Sequence, residues 1–475
     1  MSSYQTAGVK TLMGDPKKAI VKLSIPMIIA MSVQTLYNLA DAVWVSGIGQ
    51  KALSAVGFFF PFMMAGMAIG IGIGTGGGAS VSRRIGQKDH FGASGVASLS
   101  ILIVVISGII YTGIFLFFNR SIFILLGAEG SLEETLSYST IMFSGGILIF
   151  FSFAANSLLR SEGDANRAMM AMLVGAIANI VLDPFFIYAS NQPLFFGLKL
   201  PIGLNLGIAG AAYATVLSMM MSSGLLVYWL FFEKKTYISF RLNKLNDPSY
   251  LRDIFNIGLP ATVSQISMAF MMGFLTVIIS NVAGDIGVAV FTTGWRIVMV
   301  AILPMLGMMT AVLAVSGAAF GAKQFDKLRT AYLYALKIGI IIELIITAAT
   351  YLLAPQITSI FTWSESTQTL AKDIIELLRL ICLFFPAAAG GILSSGMFQG
   401  IGKGFKALII TLLRTVILIV PFAFLFAITM NLKLNGVYFG IVVGSWVSAI
   451  VAVIWALRQI RNLENQFSQG LEKTA

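Results

Sequence analysis

Apolar runs long enough to cross a bilayer alternate with short polar breaks along nearly the whole chain. Six fall at 17–46, 53–80, 93–118, 135–160, 167–190 and 207–232, and six more at 254–282, 288–318, 331–353, 371–397, 407–429 and 435–458. A hydrocarbon core about 30 Å thick needs about 20 apolar residues of helix, with every backbone group bonded inside the segment. The pattern predicts an all-α integral membrane protein with about twelve transmembrane helices. Several runs exceed the minimum, as tilted or protruding helices do.

Composition supports this. The 475 residues are 57% hydrophobic and only 11% charged, whereas soluble proteins carry about 25% charged residues. Met1 to Lys22 is polar and basic, and the apolar run that follows is too long for a signal sequence, so no cleavable signal is expected. One cysteine, Cys382, cannot build a disulfide framework. One histidine, His90, lies in a short polar loop, which leaves neither a zinc set nor a histidine relay. No cofactor is expected.

The net charge is +11, and its placement is topological. Of the 31 Lys and Arg, 22 fall in the termini and the even-numbered connections. The odd-numbered connections hold only Lys51, Arg120, Lys199, Lys372 and Lys433. Basic loops stay cytoplasmic, so both termini are expected in the cytoplasm of a multi-pass protein of the cell membrane. Termini on one side require an even number of spans. No nucleic-acid partner is expected.

The two halves of the chain echo each other. Lys22-Leu23-Ser24-Ile25-Pro26 resembles Asn256-Ile257-Gly258-Leu259-Pro260, with the prolines 234 residues apart. Arg84-Ile85-Gly86-Gln87-Lys88 after the second span is matched by Phe320-Gly321-Ala322-Lys323 after the eighth. Arg160-Ser161-Glu162-Gly163 after the fourth is matched by Gln399-Gly400-Ile401-Gly402 after the tenth. The reading is two pseudo-symmetric six-helix lobes, 1–232 and 253–475, the second ending in a cytoplasmic tail, joined by a polar cytoplasmic linker at 233–252. Parallel six-helix repeats are a transporter architecture, with the site near mid-membrane.

Ionisable residues inside a membrane are costly and mark function by default. Gln34, Tyr37, Asn38 and Asp41 of the first span sit at i, i+3, i+4 and i+7 and share one helix face. Asn179 and Asp183 of the fifth span sit at i, i+4, and Pro184 follows. At 1.5 Å per residue both carboxylates fall in the outer half of the membrane. The repeat places Leu275 and Phe422 at the equivalent positions, so this acidity belongs to the first lobe alone. Desolvation and like-charge proximity disfavour a charged carboxylate, which suits the pair to proton uptake. The same oxygens suit a hard monovalent cation. Glu343 of the ninth span is a further candidate, with Lys337 or Arg414 as an ionic partner or a role in the second lobe. Glu376 and Arg379 are expected to form a local ion pair.

Other motifs carry less. Gly72-Ile73-Gly74-Thr75-Gly76-Gly77 contains a GxGxxG string, but it lies inside an apolar helix with no preceding strand. Gly66, Gly70, Gly74 and Gly78 recur every four residues and predict close helix packing. Gly402-Lys403-Gly404 is not a phosphate loop, so no ATPase is encoded. Methionines on one face, such as Met268 and Met271, suit either packing or varied apolar ligands.

Gly14-Asp15-Pro16-Lys17-Lys18 leads into Leu23 to Pro26, followed by Gln34-Thr35-Leu36-Tyr37-Asn38-Leu39-Ala40-Asp41 and Ala55-Val56-Gly57. With Asn179 to Pro184 and Gly207 to Thr215, these residues resemble the multidrug and toxic compound extrusion (MATE) family, closest to archaeal members of its DinF-like branch. The resemblance spans the whole chain. It implies export of amphipathic, often cationic compounds against an inward proton or sodium gradient. It also implies that Asp41 and Asp183 carry the coupling proton or Na+, with Asn179 and Thr215 beside them. Bending of the first helix at Pro26 would link ion binding to substrate release. Ser190 to Leu206, with Pro193, Lys199 and Pro201, departs from the family by its length and is expected as an external hairpin.

The sequence therefore reads as a monomeric secondary antiporter working by alternating access. Its cavity is expected to be lined by Met31, Gln34, Tyr37, Asn38, Met64, Met268 and Met271. Its partners are small amphipathic substrates, H+ or Na+, and the bilayer. Two other functions are a flippase for a lipid-linked precursor and, more remotely, a membrane-embedded enzyme.

Overall fold

The computed structural model describes residues 6–190, 202–233, 236–240, 247–361 and 368–472. The described residues form seventeen α-helices, numbered in chain order. The first nine are α1 (Ala7–Met13), α2 (Pro16–Ser46), α3 (Gln50–Gly86), α4 (His90–Phe117), α5 (Asn119–Leu125), α6 (Leu132–Ser144), α7 (Gly146–Ser161), α8 (Ala165–Ile187) and α9 (Gly207–Val227). The rest are α10 (Pro248–Gly321), α11 (Phe325–Leu352), α12 (Ala354–Phe361), α13 (Ala371–Ile381), α14 (Phe385–Gly400), α15 (Gly404–Leu412), α16 (Val420–Phe424) and α17 (Lys433–Glu472).

Among the described residues, ten helical segments are long and apolar enough to cross a membrane. α6 and α7 form an eleventh, bent by 46° near Gly145. α10 runs for 74 residues, about 111 Å of helix. That is more than one bilayer can hold, and Gly284 breaks it with φ 60°, ψ −159°, a conformation open essentially to glycine alone. Its arms, 248–283 and 285–321, are the seventh and eighth spans. Twelve spans result, as the apolar pattern predicts.

The chain forms two units. The first draws on Met1–Val9, Ile29–Val81 and Asp89–Leu259, the second on Lys10–Ile28, Ser82–Lys88 and Pro260–Ala475. In the first, the glycine stripe of α3 lies along α7. A Cβ on Gly66 would meet Phe150 at 3.5 Å, on Gly70 Phe153 at 3.3 Å, and on Gly74 the Ala154 Cα at 3.1 Å, while Gly78 abuts Ser161. Small side chains let the backbones approach where lipid gives no hydrophobic drive.

The repeat is visible in the backbone. Lys88 and Lys323 both turn left-handed, with φ 60° and 56°, and so do Gly163 and Gly402, with φ 89° and 82°. Asp89 and Asp164 cap α4 and α8, accepting from the Gly92 and Arg167 amides at 2.8 and 3.2 Å. Asp15 accepts from the Lys17 and Lys18 amides at the start of α2, and the Lys18 amide above all holds its carboxyl below the usual range.

Two expectations change, and one is met only at its ends. α10 begins at Pro248, inside the polar stretch expected as linker. The ends of the stretch expected as a hairpin are joined: Ala189 bridges Leu204, and Ser190 and Gly203 exchange hydrogen bonds of 3.0 and 3.3 Å. Residues 191–201, with Pro193, Lys199 and Pro201, lie outside the described residues. Glu376 and Arg379 do not pair. Glu376 accepts from Asn435 at 2.8 Å, and the Arg379 guanidinium lies 5.5 Å from the Tyr351 ring centre. Partners from neighbouring segments outcompete the i, i+3 geometry.

Candidate functional site

α8 and α9 are held together at both ends by glycine. A Cβ on Gly175 would meet Ser222 at 3.2 Å, and Gly210 packs on the Phe186 backbone. Between these clamps the Asn179 amide donates to the Thr215 hydroxyl at 3.2 Å. One turn along α8, Asp183 is 0% exposed, with Asn179 at 1% and Thr215 at 5%. Among the described residues, neither oxygen of Asp183 and not the Asn179 carbonyl oxygen has a hydrogen-bond partner. The Asn179 amide lies alongside Asp183 but is given to Thr215.

α2 completes the cluster. The half-buried Asp41 lies near enough for its charge to act on Asp183, and the Tyr37 hydroxyl lies beside Thr215 in the field of both carboxylates. Two tyrosines that sequence patterning did not single out join them. Tyr138 of α6, 5% exposed, lies in the field of Asp41, Tyr37 and Asp183. Tyr188, which ends α8, faces Asp183 and donates to the Trp44 carbonyl at 2.6 Å, with the two rings edge-on. The resulting acceptors are all oxygens: two carboxylates, an amide carbonyl and hydroxyls. Hard cations and protons bind such a set, and a buried, unshared acceptor is costly unless one arrives.

The other expected residues are more scattered. Gln34 and Met31 are half-buried on α2, Asn38 is exposed, and Met64 on α3 is 36% exposed. Met268 and Met271 belong to the second unit, the former half-buried and the latter buried. Pro26 is buried in α2 and has no N–H for the Lys22 carbonyl, so the helix lacks one bond there. Glu343 pairs with neither Lys337 nor Arg414. It is 0% exposed, and among the described residues both its oxygens lack partners.

Outside the spans, Glu162 links the α7–α8 turn to the segment after the sixth span. Its carboxylate accepts from the Tyr237 and Ile238 amides at 2.9 and 3.2 Å while only 2% exposed. Burial pushes its carboxyl up to about 8, against the pull of those two amides and Arg167. Sequence reading used Glu162 only as a repeat landmark.

The model of the MatE family matches this chain at residues 26–185 and 260–425. The chain belongs to the MatE family of multidrug efflux transporters. The two matched segments begin at the prolines aligned by the internal repeat, Pro26 and Pro260. Multidrug export protein MepA of Staphylococcus aureus is 25% identical over 441 residues, covering 92% of each chain. A crystal structure of MATE in complex with MaL6 superimposes with a TM-score of 0.91 at 46% identity, over 97% of this chain and 100% of that one. An outward-facing multidrug resistance MATE family transporter of the MOP superfamily gives 0.91 at 45%, over 97% and 99%. This MatE protein is thus a multi-pass membrane protein of the two-lobed fold.

Proposed function

We propose that this MatE protein is a secondary antiporter, not an enzyme, exporting amphipathic, often cationic small molecules by alternating access. A proton or Na+ moving inward at Asp41 and Asp183 supplies the drive. The observation that carries this reading is the set of buried oxygens around Asp183 with no partner among the described residues. Asn179 and Thr215 position that set, and Tyr37 and Tyr138 border it. Pro26 gives α2 a place to bend, and the polar stretch 233–252, whose last residues enter α10, divides the lobes along the chain. The protein acts as a monomer in the cell membrane with both termini cytoplasmic, as its basic residues direct.

Reconstituted vesicles test the drive. An imposed proton or Na+ gradient should move a fluorescent cation against its own gradient, and the effective ion names the coupling. Uptake indifferent to both gradients overturns the proposal.

A further inference from the structure

The repeat sets the two halves of the chain in register, so each residue near the carboxylates of the first half has a counterpart in the second. Asp41 and Asp183 correspond to Leu275 and Phe422, offset by 234 and 239 residues as Pro26 is from Pro260 and Gly163 from Gly402. The same offsets carry Trp44 to Ile278 and Tyr188 to Ala427. The second unit therefore lacks the charge, and it also lacks the bonded Tyr188–Trp44 pair that fills this end of the first.

A groove of about 690 Å³ lies there instead. Phe274, Val277 and Ile278 of α10 form one wall, and Phe422, Leu425 and Ile428 the other. None of its described lining residues is charged. Asn281 and Thr429 supply its polar groups, each near the end of a span, and the two spans run in the same direction. The second wall is irregular by construction. Leu413–Ile419 and Leu425–Thr429 are π-helical, flanking α16 with Pro421 inside. π-turns widen a helix and recur at functional sites.

We infer that this groove binds the uncharged, ring-bearing portion of an amphipathic small molecule, with its polar end toward Asn281 and Thr429. The inference rests on the export reading and assigns that reading's substrates a place in the second unit. Ligand pockets for drug-sized molecules hold about 300–1,000 Å³ and are mostly apolar with a few placed polar groups. Phe274 and Phe424 are half exposed there, and their rings offer stacked or edge-on partners to an aromatic solute. Charge is then handled by the carboxylates of the first unit and apolar bulk by the groove of the second.

Rhodamine 6G binding to the full-length protein in lipid nanodiscs, read by fluorescence polarisation, tests this. Ile278→Trp and Ile428→Tyr add aromatic bulk to the two walls, and each should weaken binding about tenfold or more at an unchanged melting temperature. If either variant melts early, Asn281→Leu, which changes the polar end with little added bulk, should weaken binding as well. Undiminished affinity in folded variants overturns the inference. So does unchanged dye affinity with loss of a co-purified phospholipid, which makes the groove a lipid site. Dye export by wild-type cells is scored separately. Export with indifference to these substitutions defeats this inference alone, whereas a wild-type protein that neither binds nor exports dye defeats the export reading too.

Discussion

Asn179 holds its neighbourhood by one hydrogen bond, and its carbonyl oxygen stays open. Thr215→Val strands the buried amide, which should cost about 1–3 kcal/mol, seen as earlier thermal unfolding. Asn179→Asp, which keeps an oxygen there, should retain ion response where Asn179→Leu loses it. Glu162 gives a pH prediction. Its folded carboxyl holds its proton up to about 8, tighter than in the unfolded chain. That contribution is complete below the ordinary carboxylate range, declines above it and is lost as pH rises through about 8. The melting temperature should therefore fall from mildly acidic to alkaline pH, and Glu162→Gln should flatten the slope. At this scale the sequence exposed Asp41, Asn179 and Asp183 because helical spacing puts polar residues on one face. Thr215 needed the family resemblance. Tyr138 and Tyr188 could not be seen, since only the packing of α6 and the end of α8 brings them to the carboxylates. For Glu343 the sequence left pairing with Lys337 or Arg414 open beside a role in the second lobe; its burial with no partner among the described residues is a tertiary outcome that no local pattern encodes.

α3 is legible as an element because its glycines keep a four-residue period. The structure adds which helix they meet: α7, at Gly66 through Gly78. Gly74→Val pushes a branched side chain into Ala154 and Phe153, whose nearest atoms lie 3.1 Å from a Cβ there. The variant should lose about 1–3 kcal/mol, read as a drop in folded yield and melting temperature. Gly284→Ala should be harmful for another reason, since its backbone conformation excludes a side chain. The bend at Gly145 in the fourth span and the π-helical turns around Pro421 were not legible. Hydrophobicity reports that a segment is buried in lipid, and it is silent on whether the helix inside is bent or widened.

Over the whole molecule, span number and repeat followed from the sequence because the bilayer imposes one length rule on every segment. Equivalent turns then took equivalent backbone angles. The division of chemistry between the repeats is the larger consequence: a pair of carboxylates on α2 and α8 in the first, an uncharged groove at the equivalent place in the second. The central claim is that Asp41 and Asp183 drive export. Its most direct test is ethidium accumulation in cells expressing wild type or Asp41→Asn at equal levels, repeated with the proton gradient collapsed and with sodium withdrawn. Coupling through these carboxylates predicts low accumulation with wild type alone, rising to the Asp41→Asn level when one of those gradients is removed. Equal accumulation in both, or wild-type export indifferent to both gradients, would contradict it.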